Sequence, residues 1–151
     1  MISKFKKFLE ATLSNDSEVD ALPLEKQLQV ATAALFVEMT LSDNVVLPEE
    51  KTSIEASLTE AFGLTSNELS DVMALAQEKI DKAACLYEFT QLINTKYLTE
   101  QKIEVVRLLW RIAYADNQLD KYEELMIRKV SDLLHVSHSQ MIKAKHSERP
   151  S

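Results

Sequence analysis

The chain has 151 residues and 46% of them are hydrophobic, which suits one compact domain that buries roughly two thirds of its extended surface. One glycine and three prolines are too few for a strand-rich fold or for glycine-rich phosphate-binding loops, so the composition predicts an all-α fold. The net charge is −7, and because residues 1–13 and 141–151 carry +2 each, residues 14–140 carry −11. An acidic body disfavours nucleic acid as a partner and favours cations or a basic protein surface.

The first predicted element is a short helix over residues 2–13, with apolar side chains on one face and lysines on the other. An acidic linker follows, so we assign residues 1–21 to an N-terminal segment, residues 22–146 to a helical domain and residues 147–151 to a disordered tail. One hypothesis is that the helix docks on an anionic membrane surface as a peripheral anchor. The alternative is that it packs on its own domain.

The helical domain begins with a segment over residues 23–41 that is apolar almost all round, which predicts a central, buried helix. The next helix is predicted over residues 48–62, with Pro48 at its first turn and Gly63 as its stop. Thr65 and Glu68 then predict a capping box for a helix that runs to about Lys82. Four further helices are predicted at about 86–95, 98–116 with Thr99 as its cap, 120–134 and 137–145, which gives about eight in all.

An internal repeat organises these elements. The segment "LFVEMTLSDNVVLPEEKTSI", which starts at Leu35, aligns with "LLWRIAYADNQLDKYEELMI", which starts at Leu108, at a constant offset of 73. After a slip of one residue, "GLTS" corresponds to "HVSH". We therefore predict two helix–turn–helix repeats, residues 35–66 and 108–138, packed about a pseudo-twofold axis.

Glu38 and Arg111 occupy equivalent positions in the repeat, each inside a mostly apolar helix. A buried charge without a partner is costly, so we predict that the two side chains form an ion pair across the central helices. The alternative is that each reaches the surface separately.

The second turn of the repeat is strongly acidic. Asp116 follows the last apolar residues of a helix, where the negative end of the helix dipole disfavours a carboxylate unless a turn compensates it. Asp120 and Glu123 have a capping role for the next helix, and Glu124 follows them. These four carboxylates, Asp116, Asp120, Glu123 and Glu124, are also candidate oxygen ligands for a divalent cation such as Ca²⁺ or Mg²⁺.

The spacing differs from that of an EF-hand, because Lys121 stands where the calcium loop has glycine and Ile127 where it has glutamate. The first turn is a weaker candidate, with Asp43 and Glu50 as its ligands and Leu47 in the position of Asp120. Both interpretations of the turns, as helix caps or as a cation site, stay open from sequence.

The repeated segments "VEMTLSDN…LPEE" and "LLWRIAYADNQLDKYEELMIRKVSDLLHVS" resemble the TerB family, the small helical proteins named for tellurite resistance, over roughly residues 25–142. The resemblance implies an all-helical, cytoplasmic domain with acidic residues in its two turns. It also implies a link to stress and tellurite-resistance systems, in some cases beside a membrane protein and calcium-binding partners. The binding residues that it suggests are Asp43, Glu50, Asp116, Asp120 and Glu123.

Two departures distinguish this chain from the family pattern. The usual Asp-Gly of the turns is Asp-Asn in both repeats, and Leu47 replaces the second acid of the first turn. The resemblance therefore favours the second turn over a symmetric pair of sites.

Residues suited to catalysis are few. Cys85 lies in the apolar segment "KAACLYEF", which is typical of a buried, inert thiol. His135 and His138 are separated by a predicted helix start at Ser137 and are poor metal-ligand candidates. We therefore expect a non-enzymatic cytoplasmic interaction module that binds a basic protein partner, which could be a membrane protein, or a divalent cation, with the peripheral membrane adaptor as the alternative.

Overall fold

The computed structural model describes residues 3–13, 23–41, 47–77, 81–115 and 121–150, and in these residues the chain forms eight α-helices and no strand. This confirms the all-α prediction. The helices are α1 (Lys4–Thr12), α2 (Leu24–Leu41), α3 (Pro48–Phe62), α4 (Ser66–Ala74), α5 (Lys82–Lys96), α6 (Thr99–Ala115), α7 (Lys121–Leu133) and α8 (His138–Glu148).

Helix α2 lies at the centre of the bundle, as its apolar pattern predicts. It contacts α1, α3, α4, α5 and α6, and 13 of its 18 residues are buried. A helix that is covered on all sides does not need a polar face, which explains why its sequence lacks one.

Helix α1 is part of this core. Phe5, Leu9 and Leu13 are fully buried, and the helix packs against α2 and α5. The Nζ of Lys96 in α5 donates to the carbonyl of Leu13 at 3.4 Å, and the hydroxyl of Ser3 donates to Glu88 at 3.1 Å. The apolar face that the membrane-anchor hypothesis requires is therefore used inside the domain, and α1 belongs to the bundle rather than to a separate N-terminal segment.

Three predicted boundaries are wrong: the end of α4, the start of α5 and the end of α8. Helix α4 ends at Ala74 and continues as a short 3₁₀ turn, Leu75–Gln77, instead of running to Lys82. Lys82 begins α5, and the side chain of Asp81 caps that helix by accepting a hydrogen bond from the N–H of Ala83. At the other end of the chain α8 extends to Glu148, so the predicted tail begins too early.

The end of α5 and the start of α6 give a smaller correction. Thr99 is the first residue of α6 instead of its cap. The N–H of Leu98, which precedes the helix, donates to the side-chain oxygen of Gln101 at 2.7 Å. This contact is the returning half of a capping box, with glutamine in the third helical position.

The two repeats share the geometry of the turn that joins their second and third helices. Gly63 and His135 both adopt a left-handed backbone, with φ of 60° and 64°. Thr65 and Ser137 then cap α4 and α8, and both form complete capping boxes, with Glu68 and Gln140 as the returning residues. This local correspondence agrees with the sequence repeat, while the pseudo-twofold arrangement of the two units stays a prediction.

Candidate cation-binding pocket

Three helices begin around one pocket of about 600 Å³, which lies beside the end of α2. The first turns of α3, α5 and α7 contribute to its wall, and Met39, Leu41 and Ile54 supply apolar lining. Helix α2 ends at Leu41, before the first predicted acidic turn in the sequence, and α7 begins at Lys121, after the second.

Three carboxylates line the pocket. Glu49 and Glu50 come from the first turn of α3 and are exposed, whereas Glu123 comes from the first turn of α7 and is only 3% exposed. Carboxylates in the first turn of a helix interact favourably with the positive end of the helix dipole. The structure thus brings together two of the predicted site residues, Glu50 and Glu123, one from each repeat.

The other predicted ligands divide into two groups. Asp43, Asp116 and Asp120 lie outside the described residues. Glu124 points away from the pocket, because its Oε1 accepts a hydrogen bond from the Nζ of Lys145 in α8 at 3.3 Å. Among the residues that the structure describes, no group of three or more histidine, cysteine, aspartate and glutamate side chains is arranged to hold a metal ion.

Two side chains of the pocket that sequence reasoning missed are Lys82 and Tyr122. The Tyr122 hydroxyl donates to the carbonyl of Met39 at 2.8 Å, and the Lys82 Nζ lies 5.1 Å from the centre of the tyrosine ring. The signal for Lys82 is Asp81, since an N-cap at that position moves Lys82 from the end of one helix to the start of another. A lysine at the edge of the pocket also places a cation beside its carboxylates.

The predicted ion pair between Glu38 and Arg111 is replaced by two separate contacts. Arg111 donates from Nε to Glu148 Oε1 at 2.8 Å, a salt bridge that, against partial burial, raises the pKa of the guanidinium. Glu38 is fully buried, and its Oε2 lies 3.8 Å from the Sγ of Cys85. Arg111 keeps a third of its side-chain surface exposed at the α6–α8 interface, so it reaches a partner at the surface instead of crossing the core.

The residues considered for catalysis or metal binding, Cys85, His135 and His138, all lie within the described part of the chain. Cys85 is fully buried, in agreement with the prediction. His135 lies in the left-handed turn after α7, and His138 is the first residue of α8. Neither histidine lines the pocket between α3, α5 and α7.

Within the described ranges, no helix has both the length and the apolarity to cross a bilayer. Comparison with curated proteins and with solved structures finds no significant match. The model of one protein family, described as tellurite resistance protein TerB, matches residues 29–146. This match runs from the second turn of α2 to the last turn of α8 and covers most of the chain, so the chain belongs to the TerB family.

Proposed function

We propose that this TerB domain is a non-enzymatic binding module whose acidic pocket receives a cationic group. The observation that carries the proposal is the position of Glu50 and Glu123, which come from different repeats and line the same pocket. A cation in this pocket would contact both helix–turn–helix units at once. Asp43, Asp116 and Asp120 lie outside the described residues and are, from the sequence, further candidate oxygen ligands.

Two sources of the cation share this chemistry: a divalent metal ion such as Ca²⁺ or Mg²⁺, and a lysine or arginine side chain on a partner protein. The net charge of −7 favours the approach of either one. The full burial of Cys85, the one cysteine, supports a binding role over nucleophilic catalysis. The family description supports a role in tellurite resistance or a related stress response, for which we propose a cytoplasmic setting.

Calorimetry tests the proposal. The full chain is titrated with Ca²⁺, with Mg²⁺ and with a lysine-rich peptide, up to about millimolar concentration. Glu50→Gln removes one pocket carboxylate that is exposed, and the fold should tolerate it. Glu60→Gln is the matched control, because Glu60 is an exposed carboxylate of the same helix outside the pocket.

We expect at least one titrant to bind saturably, about tenfold more weakly to Glu50→Gln and unchanged to Glu60→Gln. Binding of a metal ion would identify an ion site, and binding of the peptide alone would identify a basic protein partner. The proposal fails if no titrant binds, or if the control variant loses as much affinity as Glu50→Gln.

A further inference from the structure

A groove of about 380 Å³ lies between α5 and α7, next to the acidic pocket, with which it shares Met39, Lys82 and Tyr122. Seven large hydrophobic side chains are exposed among the described residues, and four of them line this groove. Single exposed hydrophobic side chains are common, but a contiguous set is typical of an interaction site. The four are Tyr87, Tyr122, Leu125 and Leu133, with exposures of 63%, 41%, 58% and 41%.

The groove runs along the two helices. From α7 it is lined at positions 122, 125, 126, 129 and 133, a spacing of three or four residues that defines one helical face about 16 Å long. Leu86 of α5 and Met126 of α7 are buried and contribute to its lining. Methionine adapts its shape easily, and a groove of this length matches about three turns of a docked helix.

The charge of the groove is opposite to that of the chain as a whole. Among the described residues that line it, the charged side chains are Lys82 and Lys129, and both are cations. Lys129 is exposed and Arg128 beside it is exposed as well. A basic apolar groove on a chain of net charge −7 is complementary to an apolar segment that carries acidic side chains.

We propose that the groove between α5 and α7 docks an amphipathic helix of a partner protein. The apolar face of that helix would cover Tyr87, Leu125 and Leu133, and an acidic side chain at its edge would pair with Lys129. This interaction uses side chains different from the carboxylates of the acidic pocket, so it goes beyond the proposed cation binding.

The test uses two synthetic amphipathic peptides of about four helical turns, with the same leucine face and flanked either by glutamates or by lysines. Fluorescence anisotropy of labelled peptide measures binding to the full chain. We expect the glutamate peptide to bind at least about tenfold more tightly than the lysine peptide. Lys129→Glu should reverse this preference.

Leu125→Gln should weaken binding of the glutamate peptide by about tenfold. Leu98→Gln is its matched control, since Leu98 is 74% exposed and lies outside the groove. Circular dichroism checks that both variants stay folded, as expected for changes at exposed leucines. Glu50→Gln should leave the peptide affinity unchanged, which separates this test from that of the acidic pocket.

Four results would overturn the proposal. The glutamate peptide could fail to bind, or both peptides could bind equally, which would indicate a nonspecific apolar surface. Leu98→Gln could reduce binding as much as Leu125→Gln does. Light scattering could also show a dimer that Leu125→Gln dissociates, and the occupant would then be a second copy of this chain.

Discussion

The two segments predicted to be repeats differ in how completely their first helices are covered. Helix α2 is buried on all sides, because α1 and α5 pack on it in addition to α3, α4 and α6. Helix α6, its counterpart, keeps Arg107 exposed and Arg111 partly exposed. Glu38 and Arg111 are equivalent in the repeat, yet one is fully buried and the other reaches Glu148 near the surface.

The second helices, α3 and α7, also differ in the burial of a charged side chain, but here the buried one belongs to the second segment. Glu50 in α3 is exposed, whereas Glu123 at the equivalent position of α7 is almost completely buried. The turns that follow these helices nevertheless share left-handed residues and capping boxes. Local sequence thus determines the turn geometry, and the elements that pack around each repeat determine the burial of its charged side chains.

The largest expected effect comes from weakening the packing of α1 against α2. Phe5→Ala would leave a cavity beneath α1, because the ring is fully buried among core residues. We expect the free energy of unfolding to fall by about 3–5 kcal/mol, measured by urea denaturation.

Lys7→Ala is the matched control for Phe5→Ala. Lys7 is exposed on the same helix, and its replacement should change the stability by less than about 0.5 kcal/mol. Equal stability of Phe5→Ala and the wild type would show that α1 is not part of the core. The apolar face of α1 would then be available for the membrane contact that the anchor hypothesis requires.

A second test replaces the left-handed residue of each turn, so that the first turn gains a side chain and the second loses one. A Cβ at Gly63 would meet no atom within 4 Å, so Gly63→Ala isolates the backbone cost of φ 60°, which we expect to lower stability by about 1 kcal/mol. His135 already bears that cost, and the N–H of Val136 after it donates to Ser131 at 2.9 Å in a Schellman turn. His135→Gly should therefore raise stability by about 0.5–1 kcal/mol.

Thermal or urea unfolding of the two variants measures these changes side by side. Shifts of the same sign would contradict the equivalence of the two turns. Loss of stability in His135→Gly would show that the imidazole makes a contribution that outweighs the strain of its backbone.

The success of sequence reasoning follows the same division between local and long-range causes. The start of α3 at Pro48 and its stop at Gly63 could be predicted because proline and glycine act through their own backbone geometry. The end of α4 could not be predicted in this way. Leu75–Gln77 contains good helix formers, and packing against α2 accompanies its change to a 3₁₀ turn.

The candidate site shows the same limit. The acidic turns are visible in the sequence, but the sharing of one pocket by Glu50 and Glu123 depends on the packing of α3 against α6 and of α6 against α7. The separation of Glu124 from that pocket depends on Lys145, which lies 21 residues away. The predicted pairing of Arg111 with Glu38 has the same limit. The sequence alignment gives equivalent positions, but it does not show that the two side chains have different neighbours in the fold.

The smallest expected effect is a difference between the two capping boxes in how their contribution to stability depends on pH. Glu68 completes the first box and Gln140 the second, so only one of these two residues titrates. Partial burial raises the pKa of Glu68, but the hydrogen bond from the Thr65 N–H at 2.8 Å and the salt bridge with Lys26 at 3.2 Å outweigh it and hold that pKa below 4.5. The stability that Glu68 supplies is therefore present above the unfolded-state pKa and is lost as the pH falls through the lower folded-state pKa.

We expect Glu68→Gln to lower stability by a few tenths of a kcal/mol to about 1 kcal/mol at pH 7, and the difference to disappear as the pH falls below the lowered folded-state pKa of Glu68. Gln140→Glu is the mirror variant and should add a pH dependence of the same sign, since its carboxylate would accept the Ser137 N–H bond that the amide oxygen now accepts. Its effect should be smaller, because Lys26 reinforces the first box. Urea denaturation at several pH values measures both variants. A stability difference for Glu68→Gln that stays the same from pH 7 to strongly acidic pH would contradict this prediction. It would mean that the charge of Glu68 adds nothing to the first capping box, and the two boxes would then be equivalent in charge as well as in geometry.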